Sequence, residues 1–165
     1  MGYGKSTIGR EIAQRENVLF LDTDAWIEEK EQMSISSIFA QKGETYFRDL
    51  ETCCLEKLLS EEKKYEKNDV KVLSVGGGLP MREENRKLLQ QLGTVIYLKA
   101  TPDTVYERLK DDTTRPLLQG ENPKKKIMNM MAMREEKYQD AAEIVINVDK
   151  KAIDEIVKEI QDYIA

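Results

Sequence analysis

Gly2-Tyr3-Gly4-Lys5-Ser6-Thr7 reads as the second half of a phosphate-binding loop. In the pattern G-x-x-x-x-G-K-[ST], Gly4, Lys5 and Ser6 fill the last three fixed positions. Glycines allow backbone N–H groups to turn around phosphate oxygens with no side chain in the way. Lys5 puts a cation on the β/γ-phosphates, and the Ser6 hydroxyl suits Mg²⁺. A helix beginning here points its positive end at the same anion. Counted back from Gly4, the first glycine of the pattern falls before Met1, and the apolar strand that feeds such a loop falls earlier still. The natural chain is therefore expected to begin upstream.

With 165 residues the chain has the size of one domain, and its 40% hydrophobic content is enough for a core. The 35% of charged residues lie mostly in mixed-sign segments such as 28–32, 60–68 and 82–87, which read as solvated helix faces. A net charge of −5 argues against a general nucleic-acid binder. No apolar run approaches the roughly 18 residues of a membrane-spanning helix, so no membrane role is expected. Cys53 and Cys54 are adjacent, which suits a buried reduced pair in a cytoplasmic protein rather than a disulfide or a zinc site. Histidine is absent, which removes Ser-His-Asp and Cys-His catalysis. Chemistry must then use carboxylates, Lys, Arg, backbone N–H groups and Mg²⁺.

Outward from the loop, Ile8 and Ile12 mark a helix over residues 5–15, and residues 18–21 form a short apolar strand ending in Asp22-Thr23-Asp24. A helix follows from Ala25. Ser34 caps a short helix that Gly43 ends. Residues 44–59 form an amphipathic helix with Phe47, Leu50, Cys54, Leu55 and Leu58 on its inner face. Residues 60–70 are a polar connection. A strand over 70–75 runs into Gly76-Gly77-Gly78, and a helix covers 82–92. Next come a strand over 94–98, a helix opened by Pro102, an aperiodic stretch over 111–126, a helix over 124–138, a strand over 143–148 and a closing helix over 152–164. Strand–helix alternation predicts an α/β fold with a parallel sheet. A loop as long as 111–126 inside a compact domain reads as a functional lid.

Ligands of open parallel sheets bind off the C-terminal strand ends. The first two visible strands end there in Asp22-x-Asp24 and in three glycines. One aspartate can orient Mg²⁺ or its waters, and the other can take a hydrogen bond from a substrate hydroxyl and help remove its proton. An N-cap followed by a solvated carboxylate would account for the same two residues. Three glycines can be a loose turn or a bare-backbone ligand wall.

Taken in order, these motifs resemble the shikimate kinase family of the nucleoside monophosphate kinase-like P-loop group. The resemblance spans essentially the whole chain. It rests on residues 4–10, Leu21-Asp22-Thr23-Asp24, Ser36-x-Ile38-Phe39, Gly43-Glu44-x-x-Phe47-Arg48-x-x-Glu51, Gly76-Gly77-Gly78, Arg115-Pro116-Leu117-Leu118 and Arg134. It implies a three-layer α/β/α P-loop kinase fold with strand order 2-3-1-4-5, whose first strand this chain lacks. One domain over 1–165 would carry a lid over about 111–124. The implied reaction moves the ATP γ-phosphate to the 3-hydroxyl of shikimate, giving shikimate 3-phosphate on the chorismate route to aromatic amino acids.

Arg48 and Arg134 match the pair that holds the substrate carboxylate, for which a planar guanidinium fork is suited. Glu51, one helical turn on, would steady Arg48. Asp24 matches the carboxylate on the ring hydroxyls, with Gly76, Gly77 and Gly78 lining the pocket. Ser6 and Asp22 match the Mg²⁺ side. Gly2, Gly4, Lys5, Ser6 and Thr7 would hold ATP, with Arg108 stacked on adenine or simply a surface residue. Lys5 and Arg115 would stabilise the transferred phosphoryl group, and with Asp24 they make the catalytic set. Phe39 and Phe47 either wall the pocket or belong to the core. The resemblance implies a cytoplasmic monomer.

Without the central strand, strands 70–75 and 94–98 would flank a gap of roughly 9–10 Å, two strand spacings. Each buried unpaired backbone group there would cost about 1–3 kcal/mol. The expectations are a longer natural chain, direct pairing of the two strands, or a segment from another copy in the slot. Two other readings stay open: a related kinase for another small polyol such as gluconate, and a non-catalytic or impaired nucleotide-binding domain. The Arg48/Arg134 pair speaks against the first, and the retained Lys5, Asp22, Asp24 and Arg115 against the second.

Overall fold

A computed structural model of the chain describes residues 4–62, 71–110 and 120–164. The chain divides into two compact units, Ser6–Gly93 and Thr94–Ala165 with Met1–Lys5.

The first unit is a strand pair with its helices. Helix α1 (Lys5–Glu16) leads to β1 (Leu19–Asp22), α2 (Thr23–Glu31), α3 (Ile35–Lys42), α4 (Glu44–Glu62), β2 (Lys71–Ser74), a 3-10 turn (Leu79–Met81) and α5 (Glu83–Leu92). Strands β1 and β2 pair in parallel from Leu19 opposite Lys71 to Asp22 opposite Ser74. Parallel pairing brings both C-terminal ends to one edge, so Asp22 and Ser74 finish side by side. Helix α1 buries Ile8, Ile12 and Ala13. It lies so close to the strands that a Cβ at Gly9 would come within 2.8 Å of Phe20 Cε2 and 3.4 Å of Val72 Cγ1.

Helix α2 starts at Thr23, two residues earlier than periodicity indicates, because Asp22 caps it. Asp22 Oδ1 accepts from the N–H of Asp24 at 2.9 Å and of Ala25 at 3.3 Å. Ser34 caps α3 by accepting from the Ser37 N–H at 3.2 Å. Gly43 ends it at φ 85°, a left-handed backbone that a side chain would strain. Helices α2, α3 and α4 share a core of Ile27, Ile38, Phe47 and Leu50, with Trp26, Met33, Ile35 and Tyr46 packed against it. All five inner-face residues read from the α4 periodicity are buried. So are Glu51 and Thr52, which the apolar pattern does not announce.

The second unit contains β3 (Ile96–Lys99), α6 (Pro102–Leu109), α7 (Pro123–Ala141), β4 (Ile144–Asn147) and α8 (Ile153–Ile164). Strands β3 and β4 pair in parallel, Ile96 opposite Ile144 through Lys99 opposite Asn147. Ile146 of β4, Val148 just after it, and Ile156, Val157 and Ile160 of α8 are buried. Thr101 caps α6 and Pro102 takes its first position. Asp149 accepts from the Thr101 N–H at 3.0 Å. On α7, Glu135 takes the Tyr97 hydroxyl and an ion pair from Lys99 at 2.9 Å. Helix α7 extends three residues beyond the expected 138. Residues 111–119, which hold most of the expected lid, and 63–70 of the polar connection lie outside the described residues.

Candidate active site

The paired ends of β1 and β2 create the first half of the site. Ser6, in the first turn of α1, donates its hydroxyl to Asp22 Oδ2 at 2.7 Å and lies 3.4 Å from Ser74 Oγ. Asp22 therefore divides its carboxylate: Oδ1 caps α2, and Oδ2 meets Ser6. The cap and the oxygen cluster are one residue's work. Just ahead of α1, Gly4 sits at φ 64°, the left-handed geometry that phosphate-cradling turns need and that glycine adopts without cost.

The glycine segment after β2 forms the second half. Thr23 is fully buried. Its hydroxyl accepts from the Gly76 N–H at 3.2 Å, tying this segment to the start of α2. A Cβ on Gly76 would come within 2.9 Å of Asp24 Oδ1 and 3.2 Å of Glu51 Oε2. Two carboxylates from different helices thus converge on one glycine. A Cβ on Gly78 would fall 2.4 Å from both terminal nitrogens of Arg48. The guanidinium lies directly on that backbone.

Arg48 is held from three sides. Its Nη1 pairs with Glu51 Oε1 at 2.7 Å, its Nη2 with Glu44 Oε1 at 3.4 Å, and it sits 5.3 Å from the centre of the Phe47 ring. Phe47 in turn packs on Phe39 with ring centres 4.9 Å apart. Glu51 is completely buried, and its second oxygen, Oε2, has no hydrogen-bond partner among the described residues. Burial pushes its carboxyl above the ordinary glutamate value, the Arg48 hydrogen bond and charge pull it back, and the Asp24 charge adds to the rise. The corner therefore offers a fixed cation, a bare backbone and two carboxylates, an arrangement suited to a small anion that also bears hydroxyls.

Ser6, Asp22, Asp24, Arg48, Gly76, Gly77 and Gly78 belong to the unit Ser6–Gly93. Thr7, next to Ser6, is exposed. Gly4, Lys5, Arg108 and Arg134 fall in the other unit: Arg108 exposed in the last turn of α6, Arg134 half-buried on α7. Gly2 and Arg115 lie outside the described residues. Sequence reasoning passed over Thr23 and Ser74. A threonine between two aspartates and a serine closing an apolar strand are the signals that could have drawn attention to them. Cys53 and Cys54 are both free. Burial pushes the Cys54 thiol up to about 12, which makes it inert at neutral pH.

The family model described as Shikimate kinase matches residues 1–165. A shikimate kinase of Sulfurihydrogenibium is 43% identical over 160 residues, covering 97% of this chain and 90% of its own length. That of Thioalkalivibrio sulfidiphilus is 40% identical over 163 residues, covering 99% of this chain and 82% of its own. Among solved structures, the shikimate kinase of Acinetobacter baumannii in complex with shikimate superposes with a TM-score of 0.88 at 35% identity, covering 99% of this chain and 88% of that one. The Aquifex aeolicus shikimate kinase gives 0.82 at 35% identity, with coverages of 99% and 91%. The α/β P-loop kinase fold is thereby shown.

Proposed function

The chain belongs to the shikimate kinase family, and from that premise we propose how its residues divide the work of the reaction. It is an ATP-dependent phosphotransferase that moves the γ-phosphate to the 3-hydroxyl of shikimate, on the route to chorismate and the aromatic amino acids. The single observation that carries the assignment of roles is the corner where Arg48 lies against Gly78 while Asp24 and Glu51 converge on Gly76.

Arg48, oriented by Glu51, takes the shikimate carboxylate as a bidentate anion, and Arg134 is its second ligand. The backbone of Gly76, Gly77 and Gly78 walls the ring. Asp24 accepts a hydrogen bond from the reacting hydroxyl and receives its proton as the oxygen attacks the γ-phosphorus and the bond to the β/γ-bridging oxygen breaks, releasing ADP. Gly2, Gly4, Lys5, Ser6 and Thr7 hold the ATP phosphates, and Arg108 contacts the base. Lys5 and Arg115 neutralise charge on the transferred group, in a reaction where positioning and electrostatics supply most of the rate. The lid reading over about 111–124 belongs to this proposal, as do a single domain over 1–165 and a cytoplasmic monomer. Among the described residues no helix is long and apolar enough to cross a membrane.

The oxygens of Ser6 and Asp22, 2.7 Å apart at the strand ends, are hard donors of the kind Mg²⁺ takes. They would hold the ion, Asp22 through water. When bound, Mg²⁺ neutralises phosphate charge and fixes the phosphate conformation.

The test is ATP-dependent turnover of shikimate by this chain, run beside gluconate and other polyols, with shikimate binding followed by calorimetry. Transfer to shikimate alone is expected. Transfer to another polyol, or neither turnover nor shikimate binding by a folded chain, overturns the assignment.

A further inference from the structure

The glycine corner needs its two walls at a set distance. Helix α4 supplies Arg48 and Glu51, and the segment 76–81 supplies the bare backbone. A side chain of α5 joins them. Asn85, on α5, is fully buried. Its Oδ1 accepts from Thr52 Oγ1 at 2.7 Å, and its Nδ2 donates to the Leu79 carbonyl at 2.9 Å. Thr52 follows Glu51 on α4, and Leu79 follows Gly78.

The donor pattern leaves this bridge one orientation. A carbonyl can only accept, so the amide nitrogen faces Leu79. Thr52 Oγ1 accepts from Arg82 Nη1 at 3.3 Å and lies 3.3 Å from the Arg48 carbonyl but 2.7 Å from Asn85 Oδ1, so its single proton goes to the nearer acceptor, Asn85. Arg82 is itself paired with Asp49 of α4 at 2.9 Å. Beside the bridge, the largely buried Arg86 donates Nη1 to the carbonyls of Pro80 at 2.9 Å and Met81 at 3.1 Å. At the other end of the segment, Thr23 holds the Gly76 N–H. The glycine segment is thus pinned at its start by α2 and at its end by α5, and the α5 pin also grips α4. A position that merely filled space would be served by an apolar side chain. A buried carboxamide used at both ends sets a distance and a direction.

We propose that Asn85 is a positioning residue for shikimate, fixing the separation between the Arg48 guanidinium and the Gly78 backbone by locking α4 to the 76–81 segment. The inference rests on the placement of shikimate in this corner proposed above. Asn85 touches neither substrate nor nucleotide. Its loss should therefore let the two walls drift and weaken the ligand that spans them.

The test measures shikimate and ATP dissociation constants by calorimetry, the two KM values, and thermal melting, for the parent chain, Asn85→Leu and Thr52→Val. Asn85→Leu keeps the size and removes both hydrogen bonds. It should raise the shikimate Kd and KM about tenfold while the ATP values stay within about twofold, as expected for a misplaced ligand wall. Thr52→Val cuts the bridge at its α4 end and also takes away the hydroxyl's longer contacts with Arg82 and the Arg48 carbonyl, and a rise of at least about threefold is expected. If Asn85→Leu does not fold, Thr52→Val decides. Shikimate affinity within twofold of the parent in the folded variant, or equal losses for shikimate and ATP, overturns the proposal. A parent chain that does not bind shikimate overturns the placement of the substrate instead, and is seen before any variant is made.

Discussion

Replacing Gly78 by alanine should weaken shikimate binding without weakening the fold. Gly78 has φ −89° and ψ −13°, a right-handed conformation open to any L residue, so alanine meets no backbone strain there. Alanine also narrows the unfolded ensemble, which favours the folded state by about 0.4–1 kcal/mol. The obstacle is Arg48. The new methyl carbon would stand 2.4 Å from Nη1 and Nη2 and 2.5 Å from Cζ. The guanidinium would have to withdraw by about 1 Å to reach ordinary contact, a displacement on the scale that costs up to about 100-fold when a ligand clamp is moved. Charge-assisted hydrogen bonds to the carboxylate carry about 1.5–3 kcal/mol, so their loss or lengthening corresponds to roughly 10- to 100-fold in Kd. Calorimetric titration with shikimate and with ATP, beside a thermal melt, reads all three quantities. The expected result is a shikimate Kd raised by that factor, an ATP Kd within about twofold, and a melting temperature shifted by no more than a few degrees. A shikimate Kd unchanged within twofold would refute the idea that Gly78 is glycine to make room for Arg48.

Asp22→Asn separates the two duties of Asp22. The amide oxygen still caps α2, so stability should stay within about 1 kcal/mol, where an Asp22→Ala change would lose about 0.5–2 kcal/mol. The lost charge should raise the Mg²⁺ concentration needed for half-maximal turnover, read from magnesium titrations at fixed ATP; an unchanged requirement would remove Asp22 from the metal side. Glu51→Gln tests the buried carboxyl. Its folded pKa is raised chiefly by burial from the ordinary value of 4.5. The stability it contributes is therefore complete below 4.5 and lost as pH climbs through the raised value. Denaturant midpoints of the parent should fall relative to those of Glu51→Gln as pH rises above 4.5, and parallel pH curves would contradict the burial argument. The same variant replaces a charged partner of Arg48 with a neutral one and should raise the shikimate KM several-fold, by about 1 kcal/mol.

Much of this molecule is legible in short-range pattern. The spacing of Phe47, Leu50, Cys54, Leu55 and Leu58 marks the buried face of α4, and all five are buried. The spacing of Arg48 and Glu51 places both on one helical face, and they pair at 2.7 Å. Strand–helix alternation carries the fold class. These features depend on covalent geometry, the 3.6-residue turn and the two-residue pleat, which act within a few residues. The Asp22 cap was readable as an alternative to metal binding, and its two oxygens leave room for both.

The close approaches belong to tertiary structure. Nothing near Gly78 in the chain says that its missing side chain is the space Arg48 occupies, nor does anything near Gly9 point to Phe20. Thr23 looks like a spacer between two aspartates until Gly76 donates to it. Glu51 reads from its spacing as a partner for Arg48, but only the fold buries it completely, and that burial raises its pKa. Local pattern thus determined which elements form and which faces they bury. Only the packing of helices on strands decided which distant atoms meet, because contact and desolvation depend on positions in space that the chain reaches from both sides, and no short window of residues contains them.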